Sequence, residues 1–454
     1  MKKVIYSALL MGALAFVSSC GNDDDTTEPT TTTEVGTIDV VDDGSGTGTN
    51  TWTNDNIYIL DGFVFVNDGQ TLTIEEGTII KGKAGQGTSA SALIVARGGK
   101  IIAEGTPDKP IIFTSAADGI KGFDDGTSEE ANNLSKTDAG LWGGLMILGK
   151  AKTNNPTTEK AIEGIPASET RGLYGGTDDS DNSGSLKYIS IRHGGTDIGE
   201  GNEINGLTLG AVGNGTTIEH IEVFANQDDG IEFFGGTVGV KWALTAFCGD
   251  DSYDYDEGFR GNGQFWVTIQ EEGGSDRGGE HDGGNKPDDG IPYAIPTIYN
   301  ATYIGNSASR AITFRDNAGG HYANSIFHNF AKGIDVEDQA SGEDSKARLD
   351  AGDLTLTDLI FSDVTASELL LTQNSDGDIQ DTLTTSHSNI SGITTASDLG
   401  LSFTNPVPTG GDVSGATAAS DSWFTTATYK GAFDPAGSNW LKGWSALDKK
   451  SLLD

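Results

Sequence analysis

The densest chemistry in the sequence lies between positions 250 and 289. Asp250, Asp251, Asp254, Asp256, Glu257, Glu271, Glu272, Asp276, Glu280, Asp282, Asp288 and Asp289 fall there, with Arg260, Arg277 and His281 among them and glycine pairs between. Residues 270–292 are too long and too polar for one tight corner, so they are expected to project as a loop, the usual carrier of function on a rigid scaffold. Three chemistries are open to such a set. Closely spaced carboxylates with flexible glycines suit a hard cation that takes about six to eight oxygens. The candidate calcium ligands are Asp250, Asp251, Asp254, Asp256, Asp276 and Asp282, although their spacing matches neither an EF-hand loop nor a nonapeptide calcium repeat. A pair of carboxylates can instead abstract a proton or protonate a glycosidic oxygen. For that role the candidates are Asp254, Asp256, Glu280 and His281, joined by Asp228 and Asp229, which precede Gly230 at a turn. The third option is a solvated acidic surface in which Arg260 and Arg277 are held by neighbouring acids. Glu232 follows Asp228 and Asp229 at strand spacing, so a fold that aligned them with Asp254 and Asp256 would lay a stripe of carboxylates on one face.

Charge narrows the partners. The chain has 28 Lys and Arg against 67 Asp and Glu, a net charge of −39. Such a molecule repels nucleic acid phosphate and anionic membrane surfaces, so no nucleic-acid partner is expected. No zinc spacing, phosphate-binding loop or nucleophile elbow occurs. His321 and His328 have no partner motif and are expected to make corner hydrogen bonds.

The elements that must position these residues are short. Ala92-Leu93-Ile94-Val95, Lys100-Ile101-Ile102-Ala103 and Ile111-Ile112-Phe113-Thr114 are apolar runs that each stop at a turn signal. Glycine is abundant, at 65 residues, and no amphipathic helix separates the runs, which excludes a doubly wound fold. The runs also repeat. Ile221-Glu222-Val223-Phe224-Ala225-Asn226 leads to Gly230-Ile231-Glu232-Phe233, and Ile326-Phe327-His328-Asn329 leads to Gly333-Ile334-Asp335-Val336. The spacing from Phe314 to Val336, and that from Gly230 to Gly258, point to a period in the twenties. Short strands joined by Asn and Gly corners at such a period are the signature of a parallel β-helix. The expected fold is all-β, a single-stranded parallel β-helix, a solenoid, whose open end is closed by an aromatic-rich C-terminal cap drawn from Trp423, Phe424, Tyr429, Phe433, Trp440 and Trp444.

The N-terminus sets location. Lys2 and Lys3 precede an apolar run from Val4 to Val17, too short to span a bilayer, and then come Ser18, Ser19 and Cys20. This resembles a bacterial lipoprotein signal, which implies that Cys20 is the lipidated first residue of the mature chain. Asp23-Asp24-Asp25 resembles the surface-export signal of Bacteroidota lipoproteins, which implies an outer-membrane protein facing the cell exterior. Cys248 is then left without a disulfide partner and is expected to be a small buried residue. The expected layout is a signal peptide at 1–19, lipidated Cys20 and a flexible acidic and Thr-rich linker over 20–50, a parallel β-helix over 51–345, and a less regular continuation with the cap over 346–454.

Several strings together are more specific. Gly140-Leu141-Trp142-Gly143-Gly144-Leu145, Arg171-Gly172-Leu173-Tyr174-Gly175-Gly176, Gln227-Asp228-Asp229-Gly230-Ile231-Glu232-Phe233-Phe234-Gly235-Gly236 and Cys248-Gly249-Asp250-Asp251-Ser252-Tyr253-Asp254-Tyr255-Asp256 resemble a family of right-handed β-helix surface lipoproteins of Bacteroidota. The resemblance implies the right hand of the coil and the surface location. It supplies no activity and no catalytic residue. Two functions are expected on these grounds. The first is a non-enzymatic binding, scaffold or adhesion component that presents a glycan or nutrient ligand to an outer-membrane transporter. The alternative is a polysaccharide lyase or glycoside hydrolase acting on the acidic face.

Overall fold

In the computed structural model of the chain the described residues are 35–122, 133–199, 202–271, 273–284 and 288–454. The leader, Cys20, the first part of the expected linker and Glu272 lie outside them. Among the described residues no helix is long and apolar enough to cross a membrane.

The short runs wind into a right-handed parallel β-helix with three faces. The first face carries Asn50–Trp52, Thr71–Ile74 and Lys100–Glu104, and later Thr297–Tyr299, Gly320–Ala323 and Leu354–Thr357. The second carries Gly36–Val40, Asn56–Leu60, Ile79–Gly82 and Ile111–Ser115, and later Thr302–Ile304, Ile326–His328 and Ile360–Ser362. In the middle coils one long strand, such as Thr217–Phe224 or Gly239–Ala246, bends to serve both. The third face is a separate ladder that includes Phe63–Val66, Ala92–Val95, Leu145–Leu148, Leu207–Gly210, Ile231–Phe234, Tyr253–Asp256, Arg277–Asp282, Arg310–Arg315, Lys332–Glu337 and Leu370–Gln373. Its last pairing, to Ile379–Thr382, is antiparallel.

Side-chain alternation explains the core. Along the third face every second residue points inward and stacks on the same position one coil away. Ile147, Leu209, Phe233, Tyr255, His281, Phe314 and Val336 form one such inner row. All are buried, and each large apolar member contributes about 1.5–3 kcal/mol. The spacing from Phe314 to Val336 therefore reads a true register. The spacing from Gly230 to Gly258 does not. Gly230 precedes its strand and Gly258 follows the next one, and Ile231 stacks on Tyr253.

The corner between the first two faces was expected to rest on Gly and Asn. In four successive coils it is instead built by Tyr188, His220, Trp242 and Phe265, all at positive φ between 49° and 58°. Their rings stack outside the coil at 4.2, 4.6 and 5.6 Å, which offsets a left-handed backbone cost of about 1–2 kcal/mol per residue. Asn300, Asn324 and Asp358 take over further along, as the smaller polar residues tolerated there.

One expected boundary moves. The coil begins within the stretch assigned to a flexible linker, because Gly36–Val40 pairs in parallel with Asn56–Leu60 and Asp42 accepts from the Phe65 amide. The expected continuation past residue 345 runs to Thr394–Ala396, after a short helix Ser345–Ala351 capped by Asp344. The C-terminal aromatics do cover apolar surface, but not at the end of the rod. Residues 397–454 run back along the flank as a strap. Phe433, Leu441 and Leu447 pack on Phe224, Leu244, Phe265 and Val267 in the middle coils, and Trp444 meets Tyr188 edge-on at 5.6 Å. The exposed aromatic corner explains the placement, since it offers the strap a larger apolar surface than one terminal coil. The strap is tied down at Glu222, fully buried, which accepts from the Ala446 amide at 2.7 Å.

Candidate functional site

The third face changes character along its outer side. In the early coils the outward residues are apolar, among them Phe65, Ile94, Met146 and Leu148. An insertion over residues 152–178 lies on them, with Ile162, Ile165 and Tyr174 packed against this patch. Its hairpin pairs Lys160–Ala161 with Leu173–Tyr174. Fully buried Glu257 catches the insertion from the coil. It accepts from Asn155 Nδ2 at 2.6 Å and Tyr174 OH at 2.5 Å, and pairs with Lys160.

Beyond that patch the outward row becomes acidic. Thr208 stacks on Glu232, Glu232 on Asp254, Asp254 on Glu280, Glu280 on Thr313 and Thr313 on Asp335. The spacing between coils is that of adjacent strands, about 4.8 Å. The expected alignment holds for Glu232 and Asp254, whereas Asp256 stacks on Phe234 and Asp228 and Asp229 precede the strand at the corner. Residues 270–292 are not one projecting loop, because Arg277–Asp282 is a full strand of the face. Its glycines allow close packing: a Cβ on Gly279 would fall 2.7 Å from the His281 ring.

The stripe has two parts that differ in charge balance. In the later part each acid meets a base. Arg277 Nη1 reaches Glu280 at 2.7 Å and Asp251 at 3.5 Å, and Arg315 binds Asp282 at 2.7 Å and Glu280 at 2.8 Å. Arg310 pairs with Asp335 at 2.9 Å. In the earlier part Asp229, Glu232 and Asp254 each offer an oxygen, and these lie within 4.8 Å of one another. Asp229 and Glu232 are buried, and the strongest charge interactions on all three are with other carboxylates. Burial first, and then those neighbours, push all three carboxyls well above the ordinary range. Asp229 Oδ1 accepts from the Asp251 amide at 2.8 Å, and Asn205 Nδ2 donates to Glu232. Asp254 Oδ1 is buried with no hydrogen-bond partner.

The remaining candidates fall elsewhere. Asp256 takes the outward position next to Asp254 and accepts from the Glu257 amide; burial raises it to about 8. Burial raises Glu280 to about 7. Asp250 and Asp276 form a more exposed group with Asp251, and Asp228 groups with Asp229 and Asp250 at the corner. His281 does not join the acids. It points into the coil, stacks on Tyr255 at 3.9 Å and bonds Tyr322 OH at 2.7 Å. Burial lowers it to about 3, which leaves it a neutral core ring rather than an acid or base on the face. His321 and His328 bond Thr355 and Ser362 on the next coil, from strands rather than corners. Cys248 is buried and free, its thiol pushed up to about 12 by desolvation. Arg260 is held by Asp179 at 3.0 Å. Sequence reasoning missed Asn205, Arg310 and Arg315, which come from the coil next to the acids they meet and carry no local motif.

Oxygens at about 2.4 Å from one calcium ion lie at most about 4.8 Å apart, a bound that the trio of Asp229, Glu232 and Asp254 meets, as do Asp228, Asp229 and Asp250 and, separately, Asp250, Asp251 and Asp276. Among the described residues Asp254 Oδ1 has no hydrogen-bond donor, and neither has Asp335 Oδ1 further along the row.

Residues 44–405 match the model of a family described as Pectate-lyase like beta helix domain. No curated protein matches the sequence.

Proposed function

The chain belongs to the Pectate-lyase like beta helix domain family, and from that premise we propose that it is a lipid-anchored, surface-facing β-helix that holds a glycan on its third face through a calcium ion. In this reading it is a binding and scaffold component that offers the glycan to an outer-membrane transporter. The observation that carries it is the close group Asp229, Glu232 and Asp254, the first two buried and the third half-buried, in which no acid has an ion pair to a base among the described residues, whereas Glu280, Asp282 and Asp335 each have one. A bound calcium would supply open coordination positions to sugar hydroxyl or carboxylate oxygens. Asp229 and Glu232 are held in place by the Asp251 amide and Asn205, so two of the three ligands are oriented before any ion arrives. Cys20 carries the anchor in this proposal, and Asp23-Asp24-Asp25 directs the body outward.

The test is thermal unfolding of the full chain in EDTA and in millimolar calcium, followed by a glycan-binding screen in both. An EDTA-reversible rise in melting temperature with calcium-dependent glycan binding supports the proposal. Equal melts and calcium-independent binding refute it. Labelled fatty acid incorporated by the wild type and lost in Cys20→Ser tests the anchor.

A second reading, polysaccharide lyase or glycoside hydrolase, is favoured by Glu280 and Asp256, raised to about 7 and about 8, where a carboxyl exchanges protons near neutrality. It requires turnover of an acidic or neutral polysaccharide that is lost in Glu280→Gln. Inactivity across a broad panel excludes it.

A further inference from the structure

A cleft of about 590 Å³ opens at the corner between the third and first faces, on coils before the acidic stripe. Coil residues Asp68, Arg97 and Lys150 form one wall, and the insertion supplies Glu159, Arg171 and Asp178 on the other. The volume suits a sugar unit or two. Its charge is unusual for this chain. Acids outnumber bases 67 to 28 overall, yet three of each line the cleft.

Glu159, Asp178 and Arg171 are engaged by protein partners, whereas Arg97 and Lys150 keep free donors and Asp68 keeps free acceptors. Glu159 holds Arg97 Nη1 at 2.6 Å, and Asp178 accepts from both the amide and the hydroxyl of Ser180, at 3.0 and 2.6 Å. Arg171 is spent as well, on Glu169 and Asp42, and its guanidinium lies over the Phe65 ring. Arg97 uses only Nη1, toward Glu159 and the Gly175 carbonyl, so among the described residues its Nε and Nη2 have no protein acceptor. Lys150 Nζ meets Asp68 at 3.6 Å, beyond hydrogen-bond distance. The cleft therefore presents a guanidinium edge and an ammonium to whatever enters, with the Asp68 carboxylate beside the ammonium.

We propose that this cleft is a subsite for a sugar bearing an oxyanion ester, sulfate or phosphate, held by Arg97 and Lys150. The guanidinium binds two of its oxygens in a fork and the ammonium takes another as a point charge, which matches a group with three terminal oxygens. This site goes beyond the calcium-linked face and needs no metal.

The test is calorimetric titration of the full chain in EDTA with a sulfated galactose oligosaccharide, a sugar phosphate and the unsubstituted oligosaccharide. A substituted sugar is expected to bind at least about tenfold more tightly than the neutral one, and more weakly as salt rises. Whichever of the two substituted sugars binds more tightly identifies the ester. Lys150→Gln, which removes no hydrogen bond of the fold, should weaken binding about tenfold with an unchanged melt. Arg97→Gln should weaken it further. Equal binding of substituted and neutral sugars, no binding, or wild-type binding by both variants overturns the proposal. Because EDTA removes calcium from these titrations, this outcome is separate from that of the third face. Oxyanion binding can stand where the calcium response fails, and the reverse.

Discussion

The pH dependence of stability distinguishes a cation site from a row of ordinary surface acids. A carboxyl raised in the folded state keeps its proton where the unfolded chain has lost it, so stability falls as pH rises toward the folded value, by about 1.4 kcal/mol per pH unit and group. Asp256, raised to about 8, removes about 1 kcal/mol between pH 7 and 8.5. Each member of the trio that keeps its proton through that window removes about 2 kcal/mol more. Histidines run the other way. Burial lowers His193 and His220 to about 4 and His281 to about 3, so they cost stability as pH falls below about 6.5 and add little slope above 7. With one proton retained by the trio the fall is about 3 kcal/mol, and unfolding 35–454 with the usual entropy per residue converts this to a drop of about 3 °C in EDTA. Calcium replaces the proton. At 100 times its dissociation constant it adds about 2.7 kcal/mol and removes the trio's share of the slope. The assay is a melt followed by circular dichroism at pH 7, 7.5, 8 and 8.5, in EDTA and in calcium. Asp254→Asn should flatten the EDTA curve and abolish the calcium response. An EDTA curve that is flat or rises, or a calcium curve parallel to it, refutes the reasoning.

Other expectations rest on single anchors. Glu257→Ala strips the buried acceptor from Asn155, Lys160 and Tyr174, and should cost about 3–5 kcal/mol in urea unfolding, with amide protection lost first over 160–174. Trp444→Ala empties a fully buried site between the strap and Tyr188 and should cost about 3–5 kcal/mol locally. Its readout is protease cleavage within 397–454 while the β-sheet spectrum persists. Glu222→Gln keeps the shape but removes the charge that the Ala446 and Leu447 amides point at, and should loosen the same segment by less, about 1–2 kcal/mol, in the same proteolysis assay.

The coil was legible because its physics is local. Each strand ends at a turn residue, and like residues recur where they must stack, as Phe314 and Val336 do. Register is harder to read. The step from one coil to the next is 22 residues from Thr217 to Gly239 but 32 from Ser185 to Thr217, since turns absorb insertions freely. Arg277–Asp282 looked like loop because its outward carboxylates and glycines hide the strand alternation, and because His281 is a polar residue in an apolar row. The aromatic corner was invisible for a related reason. Tyr188, His220, Trp242 and Phe265 sit mid-strand in sequence, at a position where left-handed backbone is ordinarily left to Gly or Asn. Without that corner, nothing marked the flank as the surface the strap would cover.

What the fold does to charge is the strongest argument for a ligand on the third face. A parallel coil stacks identical positions about 4.8 Å apart, and two carboxylates at that distance repel by about 3–4 kcal/mol at an effective dielectric of about 20. The chain relieves this wherever it can do so with its own residues. The row that starts with Asp229 and Asp251 continues with Arg277, Arg310 and Lys332, and Asp282 is followed by Arg315. Glu280 sits between two arginines. At Glu232 and Asp254 no ion pair of this kind forms among the described residues: the largest charge effects there, as at Asp229, come from further acids, Glu163 and Asp228 among them. Chance crowding in an acidic chain would leave such carboxylates at the solvent edge, as it does Asp250 and Asp276. Burying Asp229 and Glu232 instead, beside an Asn205 amide and a backbone amide that fix them, with Asp254 half-buried next to them, makes sense for a site completed by a cation from outside.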